Sequence, residues 1–258
     1  MFGENGKSSD NACTSLFRER VLKEYLPDVL RSVEELPLAR KVCGAILSLL
    51  DDVHAGFVRK VKTIGGQDRI LADMGKFTLT YPIVWATVLK PCVDHLYGAF
   101  MIGCLPLCFQ PIRISVEAMT ISYCIDRDHY RIDEVNSFTR LDEFNRKLRA
   151  EKSIAKFLKE DFASVIDDMD VGKRALTLWG KVSEDFMHFA GLNKKLEYWS
   201  ISIDDYSPPP SWAVGAFIPY DISDEPQLQE LEICVKELNK LFIEVTDAWI
   251  KNCLKGLG

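Results

Sequence analysis

The chain has no apolar run long enough to cross a membrane. Its longest, Leu96 to Phe109, is interrupted by Gly98, Gly103 and Pro106 and falls short of the roughly 20 residues a span requires, so it reads as core. The N-terminus, MFGENGKSSDN, has no apolar signal region, which points to a cytoplasmic protein with no membrane partner. Positive charge is not in excess either. With a net charge of −6 and a pI near 5.4, no global field draws nucleic acid in, and RNA stays open as a partner only through a local patch. Motifs are also missing: there is no G-x-x-x-x-G-K-[ST], no G-x-G-x-x-G and no G-x-S-x-G. Nucleotide hydrolysis, Rossmann binding and α/β-hydrolase chemistry therefore lack their signatures. No C-x-x-C occurs among the eight cysteines and no Cys/His spacing suits zinc, so neither a metal nor a cofactor is expected and most cysteines read as small core hydrophobes.

At 258 residues, 47% apolar and 27% charged, the composition is that of a globular domain with a sizeable core. Residues 1–12 read as a disordered lead-in, and 13–258 as one domain. The spacing predicts a mainly α fold: a multi-helix up-and-down bundle around a buried central helix, with a small β-hairpin appendage over 195–222. A first helix from Cys13 to about Ser32 bends or restarts at Pro27. A second, after Pro37, carries Val42, Ile46, Leu49, Val53 and Phe57 at three- and four-residue steps and runs to about Val61. A third, from Tyr81 to about Leu105, should kink or split at Pro91. Charged surface helices are expected over roughly 138–149 and 152–168. Their basic residues, from Arg140 to Lys159, are interleaved with acidic ones and read as a solvated face. A helix from Gly172 to Gly191 turns Leu176, Trp179, Val182, Phe186 and Ala190 inward. The runs Tyr198–Ile203 and Trp212–Ile218 alternate and could pair as the hairpin. The last helix opens near Ser223 and Asp224 with Pro226 in its first turn. Its seam of Leu228, Leu231, Val235, Leu238, Phe242, Val245 and Trp249 suits packing within the bundle or a homodimer contact.

The central stretch, Pro111 to His129, organises the rest. Ile112, Val116, Met119 and Tyr123 form one apolar stripe and Ile114, Ala118, Ile121 and Ile125 a second. Arg113 and Glu117, four residues apart, share the narrow polar strip that remains. A helix apolar on most of its circumference belongs inside a bundle, so this ion pair should be partly buried. It either fixes how helices dock or binds an anion or substrate. Ser183, Glu184 and His188 form a second constellation: Glu184 could orient His188 as a general base, or the pair could stabilise the helix end. His95, beside Asp94, could face the same interior. Asp51 and His54 could act as ligands, with His95 and Glu117, in a metal-binding bundle, but the paired Glu-x-x-His pattern of di-iron proteins is missing.

Two runs carry a resemblance. GAFMIGCLPLCFQPIRISVEAMTISYCID resembles the central helix of uncharacterised prokaryotic helical-bundle proteins related to abortive-infection and HEPN-like families, which carry an arginine and a glutamate four apart followed by an aromatic. LWGKVSEDFMHFAG resembles a later helix of the same group, where a serine and an acidic residue precede a histidine. Here these are Arg113, Glu117 and Tyr123, with Ser183, Glu184 and His188, and the resemblance spans roughly 95–190 and the final helix. It implies a helical module of the defence or toxin–antitoxin kind that binds a protein partner or a small anionic ligand. HEPN-type ribonucleases carry an arginine four to six residues before a histidine, a spacing that none of the four histidines here has. A degenerate ribonuclease using His188, with Arg113 as phosphate clamp, is the alternative.

Overall fold

The computed structural model describes residues 26–63, 79–129, 139, 141–144, 146, 153–166, 168–184 and 219–254, and every regular element among them is helical. The lead-in expected over 1–12 and His188 lie outside these residues. So does the hairpin of 195–222, apart from 219–222, which hold no strand.

Helix α1, Leu26–Glu35, carries Pro27 in its first described turn and continues three residues past the predicted Ser32. Ser32 is buried and ties two distant segments: its hydroxyl donates to the Val29 carbonyl at 2.7 Å and accepts the Tyr220 N–H at 2.8 Å. Pro37 opens α2, Pro37–Asp51, where a first-turn proline has no N–H to miss. A π turn, Asp52–Gly56, joins α2 to α3, Phe57–Thr63. The reason lies in the sequence. The buried positions Leu49, Val53, Phe57 and Val61 follow one another at four-residue steps, each of which drifts about 40° around a regular α-helix. The wider i→i+5 turn absorbs that drift and keeps all four on one face.

The segment expected to kink at Pro91 is split by the same device. Helix α4, Thr80–Val84, passes through a π turn, Trp85–Leu89, into α5, Lys90–Met101, so that Pro91 stands in the opening turn of a new helix. Helix α5 then ends in a Schellman motif. The Cys104 N–H reaches the Ala99 carbonyl at 2.9 Å and the Gly103 N–H reaches Phe100 at 3.0 Å. Gly103 sits at φ 71°, the left-handed conformation this cap requires.

The central helix, α6, spans Leu105–His129 and begins six residues earlier than the sequence suggests, with Pro111 inside it. An interior proline forfeits one backbone bond; here the helix continues through it, and the burial of Ile112, Val116, Met119 and Tyr123 supplies stability that offsets the loss. The second stripe departs from expectation at Ile114, which is 37% exposed. That position borders a groove rather than a neighbouring helix.

Beyond α6, residues 139, 141–144 and 146 are helical, and Arg146 pairs with Asp142 one turn away at 3.1 Å, as a solvated face would. Helix α7, Ile154–Phe157, is capped by Ser153 and leads through a π turn, Leu158–Phe162, into the short α8, Ala163–Val165. Helix α9, Met169–Val182, starts on the Asp168 side chain, which accepts two backbone N–H groups. Its buried stripe is Val171, Ala175, Leu178 and Val182, one position off the predicted Leu176 and Trp179, which lie half-buried on its flank. A β-carbon on Gly172 would meet the Ala163 β-carbon at 2.6 Å, so glycine permits the close approach of α8 and α9.

The last helix, α10, Glu225–Trp249, is preceded by a 3-10 turn, Ile222–Asp224, and ends in a π turn, Ile250–Leu254. Asp224 holds the N-cap position of α10, as expected, but makes no side-chain capping bond to it; the capping box belongs to the preceding 3-10 turn, where the Asp221 carboxylate accepts the Ser223 N–H while Asp224 reaches back to the Asp221 N–H. The whole seam from Leu228 to Trp249 is at most 3% exposed within one chain. Helix α10 lies along α2, α6 and α9, while α6 is also covered by α4, α5 and α9. No described helix is long and apolar enough to cross a membrane.

Candidate functional site

The pair on the central helix forms as the spacing demands. Arg113 Nε donates to Glu117 Oε1 at 2.9 Å, and the two side chains keep 28% and 26% of their surface, so the pair is half-buried. What the spacing could not show is the third member. Trp179 on α9 donates its indole N–H to the same Glu117 oxygen at 2.6 Å, and the Arg113 guanidinium lies 5.3 Å from the centre of the indole ring. One carboxylate oxygen thus holds two donors, one from each helix, and the guanidinium rests on an aromatic face, an arrangement that stacks and orients arginine. Among the described residues no partner takes the two terminal nitrogens, Nη1 and Nη2, of Arg113.

The other sequence candidates do not converge on this pair. Tyr123 is fully buried. Its hydroxyl accepts from Asn252 at 3.0 Å, its ring stands edge-on to Phe162, and burial pushes its pKa up. Its role is in the core. His95 is exposed on α5 and lines, with Cys92, Gln110 and Ile114, a groove of about 240 Å³ between α5 and α6. Ser183, one turn beyond Trp179, is buried, and its hydroxyl finds no partner among the described residues. Glu184 is exposed, and His188, its expected partner, lies outside the described residues.

Asp51 and His54 do not act together. Asp51 Oδ2 accepts from Arg59 Nη2 at 2.7 Å, a bond that together with the arginine's charge lowers the carboxyl pKa. His54 instead lies 2.9 Å from Asp94 on α5. Among the described residues no group of three or more His, Cys, Asp or Glu could hold a metal ion.

One buried carboxylate escaped the sequence reading. Asp126, on α6, is wholly inaccessible. Its Oδ1 accepts the Thr80 N–H at 2.7 Å, while Oδ2 accepts the Tyr81 N–H at 2.9 Å and the Trp249 indole N–H at 2.8 Å. The carboxylate therefore caps α4 from another helix, supplying acceptors that Leu79, at the cap position, lacks. Burial raises its pKa from 3.8 to about 6, and the three donors moderate that rise. Around it Tyr81 stacks on Trp249 and bonds Thr246 at 2.9 Å, and Trp85 stacks on Phe57 and donates to the Val53 carbonyl. The signal was present in outline, since Asp126 falls three residues past Tyr123 on the buried stripe. With every oxygen committed to a structural donor, this carboxylate is a clamp rather than a reagent.

In comparisons with known proteins, no family model, no curated protein and no solved structure matches the chain. The site's own geometry therefore carries the functional argument.

Proposed function

We propose that this chain is a noncatalytic binding module, an up-and-down helical bundle with a hairpin appended, that takes a small anion on the guanidinium of Arg113. One observation carries the reading. Arg113 is fixed through Nε by Glu117 and across its face by Trp179, yet its terminal nitrogens have no partner among the described residues. A guanidinium held in this way offers a planar donor fork whose ordering is complete before a ligand arrives, which suits two oxygens of a phosphate, sulfate or carboxylate. Partial burial strengthens such a contact relative to open water. Glu117 offsets the arginine's charge, so the selectivity comes from fork geometry more than from field. A defence or toxin–antitoxin setting follows from the resemblance of the two runs above and forms part of the same proposal.

Titration with inorganic phosphate at low ionic strength tests it, read through the side-chain ¹⁵N resonances of arginine and the fluorescence of Trp179. A saturable shift at Arg113, lost in Arg113→Lys, is expected, because lysine keeps the charge and loses the fork. Saturation that survives unchanged in that variant, or no saturable shift at Arg113, would refute the reading.

A further inference from the structure

A second concavity lies away from Arg113, in the seam where α2 meets α10. Ala45 and Ser48 supply one wall, and Lys236, Asn239, Lys240 and Ile243 most of the other, around about 330 Å³. That volume is within the range of small-molecule sites.

Its polar groups are unevenly satisfied. Lys236 and Lys240 stand one helical turn apart on the same face. Lys236 gives one hydrogen to Glu232 at 2.6 Å and keeps the rest, while Lys240 has no partner among the described residues. Glu244, at the groove's end, is paired with Arg174 of α9, so its charge is already met. Asn239 is oriented by its surroundings: its Nδ2 donates to Asp52 Oδ2 at 2.9 Å and to Ser48 Oγ at 3.4 Å. Turning the amide over would place its oxygen against a carboxylate, so Oδ1 must face the other way. There it is shut off from solvent without a donor among the described residues, a rare and costly state for a buried acceptor.

The groove's α10 wall thus carries two lysines and an asparagine whose oxygen lacks a donor among the described residues. We infer that the α2–α10 seam binds a small phosphate ester carrying a free hydroxyl next to its anionic group, of the sugar-phosphate class. The phosphate sits between Lys240 and Lys236, which act as point charges. The hydroxyl donates to Asn239 Oδ1, an acceptor that has to become accessible for the ester to bind. Ala45 and Ile243 face the carbon skeleton.

The test is calorimetric titration of the full chain with ribose 5-phosphate, inorganic phosphate and ribose. Ribose 5-phosphate is expected to bind about tenfold more tightly than inorganic phosphate, with ribose alone showing no heat. Lys240→Gln, at an exposed position that leaves the fold alone, should weaken ribose 5-phosphate about tenfold, and Ala45→Phe should abolish binding by filling the groove. Arg113→Lys separates the two sites, since it should leave this affinity unchanged. Equal affinity for phosphate and its ester, indifference to Lys240→Gln, loss of binding in Arg113→Lys, or no binding of the ester would each overturn the inference. If Ala45→Phe fails to fold, Lys240→Gln decides.

Discussion

Asp126 should make this protein more stable in mild acid than at neutrality, against the usual behaviour of a carboxylate that gains partners. Burial raises its pKa from 3.8 to about 6. The folded state therefore binds the proton more tightly than the unfolded chain does. Between roughly pH 4 and 6 the native form holds more protons, and stability falls as pH rises through that window. Above about pH 6 the penalty is constant. A rise of roughly two pH units corresponds to about 3 kcal/mol. Because Asp126 is fully inaccessible, solvent screening does not reduce this figure. Other groups titrate as well, notably Asp51 beside Arg59, whose lowered pKa acts in the opposite direction. A difference measurement removes them. Urea unfolding of the wild type and of Asp126→Asn should be followed from pH 7 to pH 4, at low protein concentration because the pI is near 5.4. The asparagine variant turns an amide N–H₂ toward a backbone N–H and should be less stable throughout. The gap should widen by about 2.5 kcal/mol in favour of the wild type by pH 4, most of the full linkage. A gap that stays flat, or that narrows on acidification, would show that Asp126 is not held as a desolvated carboxylate.

Three further outcomes follow from the packing. Gly172→Ala sets a β-carbon 2.6 Å from that of Ala163; despite a gain in helix propensity it should destabilise by about 1–3 kcal/mol, visible as a lower urea midpoint with unchanged m. Trp179→Phe removes one donor from Glu117 and should cost about 1 kcal/mol while weakening phosphate binding at Arg113, which joint stability and titration measurements will show. Among Cys43, Cys92, Cys104 and Cys108, a thiol reagent on the native protein should modify the half-buried Cys43 and Cys92 first. Cys108 should react last, because burial drives its pKa far up; a mass-spectrometric time course that found Cys108 first would contradict the core described above.

The helical character and the core stripes were legible in the sequence because they depend only on periodicity. The seam from Leu228 to Trp249 and the stripe from Val42 to Phe57 are buried as their spacing required. The Arg113–Glu117 pair was legible for the same reason, being one turn apart on one helix. What escaped depended on contacts between residues far apart in sequence. Trp179 lies 62 positions from Glu117, and the donors to Asp126 lie 45, 46 and 123 positions away. No local pattern announces such a meeting. Pro111 is a start signal by local rules, yet α6 begins at Leu105, just past the turn at Gly103, because tertiary burial overrides the proline. At Ile114 apolar character alone does not separate a groove wall from an interior. On α9 Val182 is buried as its spacing requires, whereas Leu176 and Trp179 flank the stripe; the indole N–H of Trp179, bonded to Glu117, draws that large ring to the rim.

The capping of α4 by Asp126 bears on how this polypeptide is made. Residues 80–84 leave the ribosome long before the carboxylate that must cover their exposed amides, and longer still before the indole at position 249 that completes the same knot. During vectorial synthesis this first turn lacks its carboxylate cap until residue 126 has emerged, and the knot around that carboxylate closes only when residue 249 follows. A nascent chain arrested before residue 249 should therefore leave the neighbourhood of Tyr81 open to proteases, however well its other helices have formed.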